Sequence, residues 1–167
     1  MIDIRVLKPS DAEAYRNLRL EAMLNSPEAY DSSYREVLSH SIDVYKVWFQ
    51  SENAVTFGAF SENELTGMVT LVRETKSKLE HRATIQALYV TPFERGKGVG
   101  RQLMQTAINY AESLEGVDQL CLSIIIRSPK ARRLYYSLGF VPSGTHKRAV
   151  KMGGRYYDEE SMVMYLH

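Results

Sequence analysis

Residues 83–116 constrain the fold more than any other stretch of this chain. Ala83-Thr84-Ile85-Gln86-Ala87-Leu88-Tyr89-Val90 is a β-prone run, and Thr91-Pro92-Phe93-Glu94 stops it. Arg95-Gly96-Lys97-Gly98-Val99-Gly100-Arg101 follows. Apolar residues then return at Leu103, Ala107, Ile108, Ala111 and Leu114, spaced three and four apart as on one face of a helix. The order is strand, glycine-rich turn, helix. The first N–H groups of a helix lack backbone partners and carry a partial positive charge. Glycines let an anion approach that backbone, and Arg95, Lys97 and Arg101 add full charges. The segment reads as a pyrophosphate cradle; the bland alternative is a surface turn with solvated basic residues.

Two familiar cradles fit poorly. A nucleotide P-loop needs G-x-x-x-x-G-K-[ST], but here Lys97 lies between two glycines with no Ser or Thr behind it. A dinucleotide fingerprint needs G-x-G-x-x-G, and counting from Gly98 the last position is Leu103. The pattern present is R-x-x-G-x-G, formed by Arg95, Gly98 and Gly100 after a strand that ends Leu88-Tyr89-Val90.

The rest of the chain sets limits on function. At 167 residues it holds one domain with a real core, taken as 1–167. Net charge is +1, so bulk electrostatics gives no reason to expect nucleic acid or an anionic membrane as partner. Cys121 is the single cysteine, which rules out an internal disulfide and favours a buried, inert thiol. Neither a signal-peptide core nor an 18-residue apolar run is present, and the expectation is a cytoplasmic protein.

The remaining elements read as follows. Ile2, Ile4 and Val6 alternate as a first strand. Ser10 and Glu13 form a capping box that opens a helix to about Asn25, with Tyr15, Leu18 and Ala22 buried. Residues 32–50 are helical in pieces, with Ile42, Tyr45 and Phe49 at helical spacing. Val55–Phe60 and Leu65–Val72 form a hairpin across Ser61-Glu62-Asn63-Glu64. Leu120–Ile126 is a continuous apolar run, expected as a strand buried on both faces. Ser128-Pro129 caps a helix whose buried side is Ala131, Leu134, Tyr135 and Leu138, ended by Gly139. Two final strands meet at Gly153-Gly154.

A second pattern, A-x-x-L-Y-x-x-x-G-F, runs from Ala131 to Phe140, about thirty residues past the cradle. Together the two motifs resemble the signatures of the GCN5-related N-acetyltransferase (GNAT) superfamily. The resemblance covers nearly the whole chain and is weakest over residues 26–50. It implies an α/β (α+β) fold with a mixed, mostly antiparallel sheet of six or seven strands flanked by helices. Strands 83–90 and 120–126 would run parallel and splay apart. The implied activity is transfer of an acetyl group from acetyl-CoA to a primary amine, with a small molecule favoured as acceptor. The alternatives are a protein or peptide amine, or a non-catalytic acyl-CoA-binding regulatory module. No metal is called for. Family members often pair, and the C-terminal strands would supply the edge for a homodimer.

The resemblance also assigns residues. Leu88, Tyr89 and Val90 would pair with the pantetheine arm, and a backbone N–H near Leu88 would stabilise the oxyanion. Arg95, Gly96, Lys97, Gly98, Val99, Gly100 and Arg101 would hold the pyrophosphate. Tyr135 would protonate the leaving thiolate, although it also fits a packed apolar stripe. Ser128 stands where many members have Asn, and would contact the pantetheine or only cap its helix. The positions where many members carry a Glu base are Thr84 and Ser123, neither of which can serve. The base is therefore open among Glu80, His81, His146, Asp158 and Glu159.

Overall fold

The structure is a computed structural model and describes residues 1–27, 33–126 and 129–166. Among these residues one seven-stranded sheet runs in the order β1-β2-β3-β4-β5-β7-β6. Its strands are β1 (Ile2–Val6), β2 (Ala54–Ser61), β3 (Glu64–Arg73), β4 (Arg82–Val90), β5 (Gln119–Ile125), β6 (Val141–Met152) and β7 (Arg155–Tyr165). Helices α1 (Ala12–Asn25), α2 (Tyr34–Ser39), α3 (Ile42–Trp48), α4 (Val99–Ser113) and α5 (Pro129–Leu138) complete it. The mixed, mostly antiparallel sheet expected from the sequence is present. Every neighbouring pair is antiparallel except β4 and β5.

That parallel pair is short. Only Arg82↔Gln119, Ala83↔Leu120 and Thr84↔Cys121 are in register. From Ile85 and Leu122 onward the two strands part, so their C-terminal halves enclose an open V. A bulge shapes the β4 side. The β3–β4 register slips between Met68 and Thr70, setting Ala87 and Leu88 against Val69, and Ala87 takes a left-handed φ of 57°. The extra residue reverses the alternation of β4. Ala83 and Ile85 before it and Leu88 and Val90 after it all pack on the same side, while Tyr89 turns to the other.

Each face has its own core. On the first, α4 lays Val99, Leu103, Met104, Ala107, Ile108 and Ala111 on the sheet, joined by Tyr135 and Phe140 from the region of α5. These are the helical spacings read from the sequence. On the second, Tyr15, Leu18 and Ala22 of α1 meet Tyr45, Leu65, Met68 and Tyr89. Tyr15 stands edge-on to Tyr45 at 5.3 Å and to Phe49 at 5.1 Å, so this aromatic group is packing. No residue of the second core comes from β5, β6 or β7. Among the described residues nothing packs on that face beyond β4, and Gln86 and Ser123 are exposed on it.

Three local expectations differ from the structure. Asp11, not Ser10, organises the start of α1. Its carboxylate accepts from the Lys8 N–H at 2.7 Å and pairs with Arg5 at 2.8 Å, and a 3-10 turn over Pro9–Asp11 precedes the helix. Asp offers an acceptor and a charge at once, and Arg5 on β1 can use both; Ser cannot supply the charge. Strand β5 is buried on one face only. Leu120 and Leu122 are buried but Ser123 is exposed, because no helix of the second layer reaches it. Ala131 is exposed on α5, which leaves Tyr135 as that helix's one buried residue. The expected cap Ser128 lies outside the described residues.

Candidate active site

The open V leads to the start of α4. Gly98 is the N-cap, with φ 81°, and offers no side chain to the N–H groups of the first turn. Gly96 is also left-handed, at φ 77°. A Cβ built on either glycine would meet nothing within 4 Å, so the space above this turn is open. A Cβ on Gly100 would lie 3.8 Å from a methyl of Val90 and 3.9 Å from one of Leu134. The end of β4, the first turn of α4 and the middle of α5 thus close on one another at this glycine. The result is a cleft lined by strand edge on one side and uncapped helix N–H groups on the other. Such a cleft suits an extended amide chain ending in a pyrophosphate.

The basic residues of the turn are not equivalent. Arg95 donates its Nε–H to the Val90 carbonyl at 2.8 Å and lies 5.4 Å over the Tyr89 ring, which fixes the chain where it leaves β4. Lys97 pairs with Glu94 at 3.2 Å, and Glu94 is buried. Arg101 bonds the Ser137 hydroxyl, tying α4 to α5. Glu94 is a site residue that the sequence reading passed over. It sat in view inside the strand-stop Thr91–Glu94, three residues before Lys97. Val99 is buried, so only its backbone faces the cleft. The Tyr89 side chain belongs to the other face. Its hydroxyl donates to Glu21 at 2.8 Å and accepts from the Asn25 amide at 3.0 Å, anchoring the end of α1 to β4.

Tyr135 is buried at 8% exposure, edge-on to Phe140 at 6.1 Å, and its hydroxyl makes no hydrogen bond among the described residues. Burial pushes the phenol up to about 12, so it holds its proton throughout the neutral range. One turn earlier on α5, Arg132 reaches Glu160 of β7 at 2.8 Å. Glu160 is almost wholly buried, and its Oε1 and the Arg132 Nε have no hydrogen-bond partner among the described residues. No sequence pattern marks this pair, because its two halves lie 28 residues apart.

The five acid–base candidates separate cleanly. Glu80 and His81 sit before β4, at the closed end of the V. The Glu80 carbonyl accepts from Arg73 there, and the His81 carbonyl from Asp118 and Gln119. Asp158 is committed to the Arg148 N–H at 2.9 Å. His146 and Glu159 face each other as a cross-strand pair of β6 and β7, and Glu159 also pairs with Ile125 at the end of β5. No group of three or more His, Cys, Asp or Glu side chains that could hold a metal occurs among the described residues.

The profile of the Acetyltransferase (GNAT) family matches residues 19–140, which span the splayed strands, the cradle and α5. The chain belongs to the GNAT acetyltransferase family. Spermidine N(1)-acetyltransferase of Vibrio cholerae is 28% identical over 104 residues, which are 62% of this chain and 58% of that protein. The chain spans about half the length of the curated relatives first matched. An acetyltransferase of the GNAT family from Streptococcus pneumoniae superposes with a TM-score of 0.89 at 20% identity, covering 99% of both chains. The yncA acetyltransferase from Salmonella typhimurium, solved with its cofactor acetyl-CoA, superposes with a TM-score of 0.85 at 20% identity, covering 100% of this chain and 95% of that one. These two structures are GNAT folds, and the fold expected from the two motifs is the fold found.

Proposed function

We propose that this protein transfers the acetyl group of acetyl-CoA to a primary amine, and that the acceptor is a small molecule. The observation that carries the reading is the open V between β4 and β5 running into the uncapped glycine turn of α4. Residues 1–167 act as one acetyltransferase domain, a reading supported by a single sheet from β1 to β6.

Acetyl-CoA supplies the thioester, and the chain holds it. Backbone groups of Leu88, Tyr89 and Val90 pair with the pantetheine arm. The N–H groups of Gly98, Val99, Gly100 and Arg101 take the pyrophosphate, helped by Arg95 and Lys97 and by the free approach at Gly96. Ser128 stays a proposed contact to the arm or a cap. Tyr135 gives its proton to the departing thiolate. The buried, otherwise unbonded O–H keeps its proton at neutral pH and so is available as a donor to the departing sulfur. A small acceptor fits a net charge of +1, and the spermidine enzyme's name supports an alkyl amine. We propose a cytoplasmic location; no helix among the described residues is long and apolar enough to cross a membrane.

The test is ligand-dependent melting followed by turnover. At ~100 times its dissociation constant, a ligand adds roughly 2.7 kcal/mol. Acetyl-CoA is expected to raise the melting temperature and ATP and NAD to leave it unchanged. Release of free thiol with an amine panel then reads the reaction. No shift with acetyl-CoA, or an equal one with ATP, rejects the proposal. Binding without thiol release leaves a non-catalytic acyl-CoA-binding module.

A further inference from the structure

We infer that Glu159 is the group that takes the acceptor's proton, with His146 beside it, a role carried in other arrangements by an acid on the central strands. The inference rests on the acetyl transfer proposed above.

Strand alternation fixes which way each acid of Asp158-Glu159-Glu160 points. Glu160 lies on the α5 face, held by Arg132. Its neighbour Glu159 therefore lies on the opposite face, the one that no helix among the described residues covers beyond β4. Asp158 is spent on the Arg148 N–H. Among the described residues the Glu159 carboxylate forms no hydrogen bond or ion pair, and the side chain is only partly exposed. The chain thus keeps one unspent carboxylate on this face at the open end of the V.

Its position suits the task. The same face carries Thr84 on β4 and Ser123 on β5, the two places where the sequence lacks a carboxylate. Ser123 pairs with Ser161 across β5 and β7, their hydroxyls 3.4 Å apart. Glu159 is two residues along β7 from Ser161, and so a diagonal neighbour of Ser123, at about 7–8 Å between backbones. A glutamate side chain closes much of that distance. An amine brought to the V from the uncovered face meets this carboxylate, while Tyr135 waits on the other face. Acid and base are then separated by the sheet, as a reaction that removes one proton and adds another at different atoms requires. The amine nitrogen gives its proton to Glu159 as it bonds to the acetyl carbon. The C–S bond breaks, and the thiolate takes the Tyr135 proton. His146, exposed directly across from Glu159, offers the proton a way to water. The other titratable groups that strand alternation sets on this face are Arg155, Tyr157 and Tyr165 of β7, Cys121, deeper on β5, and Arg82 of β4, and Tyr89 with its partner Glu21 borders it at the end of β4.

The test uses the full chain with spermidine, tryptamine and glucosamine, read by thiol release from pH 6.5 to 10. Glu159→Gln is expected to lower kcat/KM by ~10²-fold near neutrality while leaving the KM for acetyl-CoA within a few-fold. An alkyl amine has a pKa near ~10.4, so its free-base fraction grows about tenfold per pH unit. A variant without the base depends on that fraction, and its deficit against wild type should shrink as pH rises. Glu159→Asp should recover part of the rate. A deficit that is the same factor at every pH, or no deficit, overturns the assignment while the proposed reaction stands. His146→Gln should cost less than Glu159→Gln; the reverse order moves the base to His146 and also overturns it. If the wild type acetylates none of the three amines although acetyl-CoA binds, the assignment and the reaction fall together.

Discussion

Replacing Tyr135 with Phe removes one oxygen from the middle of the site, and its consequences can be worked out for stability and for rate separately. The phenol has no hydrogen-bond partner among the described residues, so its loss breaks no bond, and near pH 7 the variant should be as stable as wild type or slightly more so. At high pH the two should diverge. The folded phenol titrates at about 12 against 10.0 for an ordinary tyrosine. A raised folded pKa means that the native state keeps a proton which the unfolded chain has already lost, so stability falls as pH rises between those values. At pH 11 the difference is about one pKa unit, or ~1.4 kcal/mol, reaching roughly 2.7 kcal/mol once both states have ionised. The Phe variant lacks this term. Urea denaturation of both proteins at pH 8, 10 and 11 should therefore show wild type losing ~1.4 kcal/mol more than Tyr135→Phe by pH 11. Other tyrosines, including Tyr45 and Tyr89, titrate in both proteins and cancel. Catalytically, kcat should fall by ~10²-fold with acetyl-CoA affinity within a few-fold. Parallel stability curves would refute the buried, proton-holding phenol. A Phe variant with unchanged kcat would show that Tyr135 only packs.

Three further outcomes are expected. Gly98→Asp should leave the far-ultraviolet circular dichroism unchanged, with a cost of ~1–2 kcal/mol for a non-glycine residue in the left-handed region, and should abolish acetyl-CoA binding by calorimetry, since its charge would face the pyrophosphate. Asp11→Asn should destabilise by ~1–2 kcal/mol at pH 7 in urea, with that gap closing in acid. The Arg5 hydrogen bond holds the Asp11 carboxyl below its usual range, so its contribution is present above the unfolded pKa and disappears as pH falls through the folded one. Finally, β6 is an edge strand exposed from Val141 to Arg148, and we expect it to pair two copies; light scattering should give twice 19.1 kDa, and a monomer mass would reject the pairing.

Much of this molecule was legible in short-range pattern. The cradle could be read because its glycines, its helix and its preceding strand are contiguous, and the helix face from Leu103 to Ala111 because 3.6-residue periodicity is a local property. Tyr135 carries both of its readings in one motif; the structure buries its ring, and burial raises the pKa of its phenol. What escaped depends on partners distant in sequence. The run Leu120–Ile126 looks two-faced, but whether its second face is covered depends on where α1 and α3 stop, and they stop short of β5. Ser10 and Asp11 both stand at the start of α1, and Arg5 on the preceding strand engages Asp11, whose carboxylate also takes the Lys8 N–H. From the sequence alone, Tyr89 belongs with its strand neighbours Leu88 and Val90. The bulge at Ala87 and Leu88 changes which neighbours share its face, and a bulge that needs no glycine leaves little trace in composition.

The three-row seam between β4 and β5 gives the sheet a mechanical character. On one side lie β1 to β4, on the other β5, β7 and β6, each braced by long antiparallel ladders. Between them, strand-to-strand hydrogen bonding is confined to the rows at one end, like two pages joined near the foot of the spine. Amide protons of β4 and β5 that face the seam should exchange with solvent through its opening well before either half unfolds. Any extended molecule that lodges in the gap acts as an inserted strand. It would slow exchange on both sides together and add a backbone link between two halves that otherwise share only the core beneath α4 and the three rows of the seam.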